Sequence, residues 1–278
     1  MKTNDFKLLE ERIRNAESCL FLTSAGMSAD SGIPTFRDKE GYWRNFPVFK
    51  RLGLNAIDLA NPHSFEVRPQ YAWAFYEWRR RNAHQNRPHL GYHVVNRLIG
   101  EVFEKSFVHT TNTDGYHIIS GLDESLVYEV HGSMWRLQCM RGYSCEYGVK
   151  PNTDVPLCDL DYETMIATNL PKCPHCGELL RPNILMFGDW GYVENEYQIR
   201  NYQAFVDDVG VPDLIFLIGS SSAVPTNDYL AVRFQSRGSF VVTINPDPSS
   251  TAVCKPNLFI QKRAKEAFEI IQRMVFGG

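Results

Sequence analysis

Apolar positions in this chain gather into short, uninterrupted runs separated by stretches of helical spacing. Residues 5–17 set charged and apolar side chains at that spacing and predict an amphipathic helix. SCLFLT, residues 18–23, is a continuous apolar run and predicts a buried strand. It passes directly into a loop of small residues, SAGMSADSGIP. Strand, glycine-containing loop and helix in succession open a nucleotide-binding α/β unit. Residues 40–87 are rich in aromatics and arginine, do not alternate as a strand would, and predict a helix over about 68–83.

Helix and strand then resume. HLGYHVVNRLIG predicts a helix. SFVHT, LVYEV, NILMFGD, LIFLIGS and FVVTINP predict five further strands, and a helix over about 263–275 closes the chain. The later strands end in Gly, Ser, Asn or Pro, where ligand-binding loops of open parallel sheets begin. Six apolar strands with helices between them define an α/β fold with a doubly wound, parallel, Rossmann-like sheet. Two segments do not fit that sheet. The expected division is therefore 1–39, 88–135 and 182–278 for the nucleotide-binding domain, and 40–87 with 136–181 for a smaller domain, a helical insert plus a cysteine-rich module. A ligand cleft is expected between them.

Composition changes this picture little. Of 278 residues, 44% are hydrophobic and 22% charged, the balance of a globular protein with a sizeable core. The net charge of −3 is spread along the chain without a basic tail, which argues against a nucleic-acid partner. The N-terminus lacks the apolar core of a signal peptide, and no run reaches the roughly 18 apolar residues of a membrane span. A cytoplasmic location is expected, where the seven cysteines are reduced or metal-bound rather than paired.

Five of those cysteines sit in the irregular segment 139–176, and four of them fall in two pairs. Cys173 and Cys176 form a CPHC knuckle followed by Gly177, and Cys139 and Cys145 form a wider pair upstream. Two such pairs supply four thiolates to a tetrahedral zinc, and four protein ligands leave no open position, so the expected zinc is structural. His175 or Cys158 can replace a ligand on spacing alone. Cys19 and Cys254 lie in or beside apolar runs and read as packing residues.

Several segments, in chain order, carry a resemblance to the sirtuin family. Ser24-Ala-Gly26-Met-Ser28 through Gly32-Ile-Pro34-Thr-Phe36-Arg37 resembles GAGxSxxSGIPxFR. Thr110-Thr-Asn112-Thr-Asp114-Gly-Tyr-His117 resembles TQNIDxLH. Glu129-Val-His131-Gly132-Ser133 resembles ExHGS, and the CPHC knuckle with NILMFGD, IGSSSAVPT and INPDP match later segments. The resemblance implies an NAD-dependent protein-lysine deacylase that takes an acetyl or a succinyl/malonyl group from an acylated protein or peptide and releases nicotinamide and O-acyl-ADP-ribose. ADP-ribosyl transfer or NAD hydrolysis is the alternative on the same scaffold. A third possibility, an NAD-binding module without catalysis, is opposed by His131, Asn112, Asp114 and Arg37 standing together.

The resemblance also implies roles. His131 is the general base, a task its ordinary pKa suits. Asn112 organises the ribose and Asp114 the nicotinamide carboxamide. Ser24, Ala25, Gly26, Ser28, Phe36, Arg37, Thr111, Gly219, Ser220, Ser221 and Asn245 complete the NAD site. On the substrate side, Phe187 lines the acyl-lysine path. Tyr76 and Arg79 match the Tyr and Arg of class III members, which hold an acyl carboxylate; at i and i+3 they share a helix face, and an arginine fork binds a carboxylate at two points. The chain departs from the family pattern at Ser24 (usually Gly), at Thr111 (usually Gln), at Lys39 and Glu40, and at Asp189-Trp-Gly-Tyr-Val-Glu after Phe187-Gly188.

Overall fold

Every residue of SCLFLT is buried as strand β1 (Ser18–Thr23), because the strand lies at the middle of a parallel sheet with helices on both faces. The computed structural model describes residues 3–35 and 45–277. β1 pairs on one side with β2 (Lys105–Thr110) and through it with β3 (Val127–Glu129). On the other side it pairs with β9 (Leu214–Ile218), followed by β10 (Phe240–Ile244) and β11 (Leu258–Ile260). The order β11-β10-β9-β1-β2-β3 reverses direction between β1 and β9. The carboxyl ends of those two strands form the topological switch point, where such sheets bind ligands.

Alternate residues of β1 feed the two halves of the core. Cys19 and Phe21 face a layer that includes Leu9 and Ile13 of helix α1 (Thr3–Asn15) and Phe268 of the C-terminal helix Ala264–Phe276. Leu20 and Leu22 face Phe107 and the opposite helices Glu196–Val209 and Thr226–Gln235. This two-sided burial explains why the strands read as unbroken apolar runs rather than alternating ones.

Membership of the sheet differs from the sequence expectation in one strand. NILMFGD does not enter it. The strand there is Leu180–Ile184, and it runs antiparallel to Gly132–Cys139 in a separate three-stranded sheet with Val149–Pro151. In chain order these are β8, β4 and β5. The sixth parallel strand is β11, whose three residues are too short a run to stand out in sequence. An apolar run reports burial, not the partner strand.

The insert is helical throughout its described part. Helices Pro47–Arg51, Ala56–Leu59, Pro62–Val67 and Pro69–Gln85 follow one another. Proline at the first turn suits three of them, since its missing N–H has no helical partner there. We call the last α6; it covers the expected helix at 68–83. α6 packs on a hairpin of β6 (Asp159–Asp161) and β7 (Ile166–Thr168) from the cysteine-rich segment. At this contact Glu77 is fully buried, within 2.8 Å of Arg81 and accepting the Leu157 amide at 3.2 Å. β4 and β8 run across the expected boundaries near 135 and 182. Among the described residues no helix is long and apolar enough to cross a membrane.

Candidate active site and metal centre

At the switch point the chain leaves β1 through Ser24 and turns into the short helix α2 (Ala25–Ser28). The turn presses against the end of β9. A Cβ on Gly26 would lie 2.6 Å from the Gly219 Cα, and one on Gly219 would lie 2.5 Å from the Gly26 Cα; Gly219 also has φ +68°. Two backbones therefore touch where two side chains would collide, and the Gly26 amide donates to the Gly219 carbonyl at 3.0 Å. This bare backbone surface is what close approach of a nucleotide pyrophosphate requires.

β2 delivers the second segment. Asn112 Nδ2 donates to the Ser24 carbonyl at 3.1 Å and to Ser28 Oγ at 2.9 Å. Ser28 Oγ in turn donates to Asp114 Oδ2 at 2.6 Å and lies 2.8 Å from the Tyr92 hydroxyl. Burial raises the Asp114 pKa above its ordinary value and the Glu129 charge adds to this, while Ser28, the Tyr116 amide and Arg79 oppose it. Ser24, Ser28, Asn112 and Asp114 thus form one buried polar cluster. Thr111 joins it, donating from Oγ1 to Ser24 Oγ at 3.0 Å.

The third segment follows β3. Gly132 has φ +73°, and a Cβ there would sit 2.1 Å from the Asn183 carbonyl oxygen of β8. Only glycine lets β4 start so close to β8, and this pins His131 beside it, its carbonyl accepting the Leu185 amide at 3.0 Å. Burial lowers the His131 pKa below its ordinary value, opposed by a hydrogen bond with the Thr111 backbone. His131 lines a cavity of about 310 Å³ together with Tyr76, Arg79, Thr113, Met186 and Phe187. The Arg79 guanidinium lies 5.4 Å from the Tyr76 ring centre, and its Nη2 donates to Thr113 Oγ1 at 3.1 Å. Burial pushes the Tyr76 phenol up to about 12, and it also lowers the Arg79 pKa.

After β9, Ser220 Oγ donates to Asp228 Oδ2 at 2.5 Å, and Asn245 Nδ2 donates to the Ser220 carbonyl. Ser220 and Asn245 are buried and shape the loop, whereas Ser221 is exposed at its surface. The structure therefore brings Ser24, Ala25, Gly26, Ser28, Thr111, Asn112, Asp114 and Gly219 to one end of the sheet, with the His131 cavity adjoining them through Thr113. Phe36 and Arg37, like Lys39 and Glu40, lie outside the described residues.

Sequence reasoning missed three contributors. Tyr92 is fully buried against Ser28. Asn227 donates to the Thr23 carbonyl at 2.8 Å and to Ser24 Oγ at 3.3 Å. Asp228 accepts from both Ser220 and Ser222. Each sits on a helix where a single polar residue gives no periodic signal.

The four expected zinc ligands meet away from this cleft. The Sγ atoms of Cys139, Cys145, Cys173 and Cys176 lie within 4.8 Å of one another. Cys139–Cys176 is 3.5 Å, and Cys145 is 3.7 Å from both Cys173 and Cys176. Tetrahedral zinc with Zn–S near 2.3 Å sets S–S edges of about 3.8 Å, so this donor set fits zinc. Cys158 and His175 are not part of the cluster. At the knuckle Gly177 takes φ +75°, and the Cys173 amide donates to the Glu178 carbonyl at 2.7 Å.

An open parallel sheet with a glycine-lined switch point, a buried Ser–Asn–Asp cluster, a histidine cavity and a four-cysteine module define a nucleotide-dependent α/β enzyme class. Comparison with known proteins makes this specific: the Sir2 family pattern matches residues 24–226, and the chain belongs to that family. It is 31% identical to "NAD-dependent protein deacylase 1" of Caldanaerobacter subterraneus subsp. tengcongensis, covering 94% of this chain and 96% of that protein. It is 30% identical to an "NAD-dependent protein deacylase" of Candida albicans over 87% of each. Among solved structures, a Sir2 homolog–NAD complex superposes with a TM-score of 0.76 at 27% identity, covering 96% of this chain and 93% of that one.

Proposed function

We propose that this chain is an NAD-dependent protein-lysine deacylase. The observation that carries the reading is the single cavity lined by His131, Tyr76, Arg79 and Phe187, residues from three separated segments, next to the Ser28–Asn112–Asp114 cluster. NAD, when bound, supplies the electrophilic ribose carbon whose bond to nicotinamide is broken.

The chain's own residues then divide the work. The Gly26–Gly219 contact offers the pyrophosphate bare backbone. Asp114, held by Ser28 and the Tyr116 amide, aims its carboxyl group at the nicotinamide carboxamide, and Asn112 orients the ribose. Phe36 and Arg37 complete the site on the reading from sequence, with Ser220, Ser221 and Asn245 on the adenosine side. His131, kept neutral by burial, takes the proton from a ribose hydroxyl. Arg79 and Tyr76 face the acyl end of the substrate lysine and suit an acyl group that ends in a carboxylate. Phe187, about half exposed at the mouth, borders the path of the acylated protein or peptide. Cys139, Cys145, Cys173 and Cys176 hold the zinc, which supports the fold and takes no part in the chemistry.

The same reading assigns 1–39, 88–135 and 182–278 to nucleotide binding and 40–87 with 136–181 to the smaller domain, supported by the packing of α6 on the β6–β7 hairpin. A reducing, cytoplasmic setting suits seven cysteines without a disulfide among them.

Incubation with NAD and, separately, acetyl-lysine peptide, succinyl-lysine peptide or no peptide, with products resolved by mass, tests the proposal. Acyl-ADP-ribose formed only with an acyl peptide is the expected result. Nicotinamide release that ignores the peptide would instead identify NAD hydrolysis or ADP-ribosyl transfer.

A further inference from the structure

The turn after Phe187 is held from inside. Asp189 is buried against Arg181, and its carboxylate accepts from that guanidinium at 2.8 Å, from the Gly191 amide at 3.2 Å and from the Met186 amide at 3.3 Å. The Phe187 amide donates to the Ala60 carbonyl at 3.1 Å, and Gln138 Nε2 donates to the Gly191 carbonyl at 2.7 Å. Both flanks of residue 190 are therefore tied to the fold. Between them Trp190 is turned out to 98% exposure, the most exposed large apolar side chain among the described residues.

A bare indole on a fixed turn does nothing for the isolated chain. It suits a binding surface, because the turn has little order left to lose when a partner covers the ring, and tryptophan is enriched among the residues that dominate binding. Trp190 stands at the rim of a groove of about 550 Å³ whose apolar lining also includes Pro62, Met140 and Phe187. Phe187 lines the His131 cavity as well, so groove and cavity adjoin at that side chain. The charged groups of the groove are matched among themselves. Arg181 and Asp189 neutralise each other in the interior, and His63 and Glu66 meet at 3.2 Å in solvent. Neither pair leaves a buried charge for a ligand to meet, so the groove favours apolar surface over either sign of charge.

We propose that Trp190 and this groove form a specificity subsite for a large apolar side chain, Leu or Phe, that flanks the acyl-lysine of the substrate protein. The position of the acyl-lysine rests on the deacylase reading. Three chain steps separate Phe187 from Trp190, a reach of at most about 11 Å, which about three residues of extended peptide span. The selected side chain therefore lies within a few residues of the acyl-lysine and packs on the indole, Pro62 and Met140.

The test uses alanine peptides around one acetyl- or succinyl-lysine, with Leu, Phe, Lys or Glu placed in turn at each position within about four residues on either side. They are titrated by calorimetry into the full zinc-loaded chain without NAD. At one position Leu and Phe should bind about fivefold or more tightly than Ala, while Lys and Glu should not. In Trp190→Ala that ratio should fall below about twofold, and Trp190→Tyr should keep most of it. Equal affinities at every position would overturn the proposal. So would a preference for Lys or Glu over Leu and Phe, or a Leu preference untouched in Trp190→Ala. The comparison among peptides uses the unaltered chain and stands whether or not the variants fold. Product analysis with NAD is a separate readout. Peptides that bind with the Leu preference but yield no acyl-ADP-ribose would sink the deacylase reading and leave the subsite, whereas turnover with equal binding would do the reverse.

Discussion

The Thr111 hydroxyl donates to the Ser24 hydroxyl across 3.0 Å, joining the two positions at which the nucleotide loops depart from the usual family residues. Asn227 also reaches Ser24 Oγ, so the added hydroxyl is held from two sides. The departures are one compensated change. Thr111→Val alone leaves the Ser24 hydroxyl only its contact with Asn227, and Ser24→Gly alone leaves the Thr111 hydroxyl only the longer, 3.4 Å contact with the Thr23 carbonyl. The double variant should be more stable than the sum of the single losses predicts, with a coupling of about 1 kcal/mol. Denaturant unfolding of the four proteins measures it; additive losses would show that the pair does not interact.

The Gly26–Gly219 contact leaves no room for a methyl group. Gly26→Ala should abolish measurable NAD binding in calorimetry and lower the melting temperature, since the clash is with backbone that cannot swing away. Gly219→Ala should do worse, because it adds a positive φ to the clash. Gly100, in the helix Leu90–Glu101 and away from the cleft, serves as a control: a Cβ there meets nothing within 4 Å, so Gly100→Ala should keep NAD affinity within a few-fold.

Burial lowers the His131 pKa, which fixes the direction of the pH profile. A base acts when neutral, so activity should be full above the folded-state pKa and fall as pH drops through it. The acidic limb of kcat/KM should therefore lie below about 6.5, the value of a free imidazole. His131→Ala should lower deacylation roughly a hundred- to ten-thousandfold and remove that limb. A limb above 6.5 in the unaltered protein would contradict the assignment.

Arg79 gives a selectivity prediction. A charge-assisted hydrogen bond contributes about 1.5–3 kcal/mol. Arg79→Met should therefore reduce kcat/KM for a succinyl-lysine peptide by roughly ten- to a hundredfold relative to an acetyl-lysine peptide. Equal losses on both would mean that Arg79 acts only through its bond to Thr113.

Elemental analysis should find about one zinc per chain. Cys176→Ala should lose the metal and unfold the cysteine module, seen as a large fall in melting temperature, because metal affinity and folding are coupled in such modules. Cys158→Ala should keep the metal, since Cys158 stands outside the cluster.

Much of this was legible in the chain itself, for identifiable reasons. β1, β2, β9 and β10 are buried on both faces, so SCLFLT and LIFLI announce themselves. The cysteine tetrad is legible because its ligand spacing is constrained by one metal. β11 is too brief to register as an apolar run, and NILMFGD reads as a member of the parallel sheet because burial does not name a neighbour. Tyr92, Asn227 and Asp228 were invisible: each is a lone polar residue on a helix, and its importance comes from a partner more than fifty residues away or from a loop it caps. Tyr76 and Arg79 stand out through their resemblance to the class III pair, at the matching i, i+3 spacing, but their meeting with His131 is a product of the tertiary fold.

β4 starts one residue after His131 and ends at Cys139, while β8 starts four residues after Cys176 and ends beside the same cavity. One strand pair, about 17 Å long over the five residues of β8 at ~3.3 Å per residue and bulged in β4 between Ser133 and Leu137, is thus anchored at the metal and at the histidine. This limits how such proteins can be recombined. A chimera that imports the cysteine module from a relative must import both strands whole, because a crossover inside either one sets a foreign partner against the Gly132–Asn183 contact and moves the histidine with it.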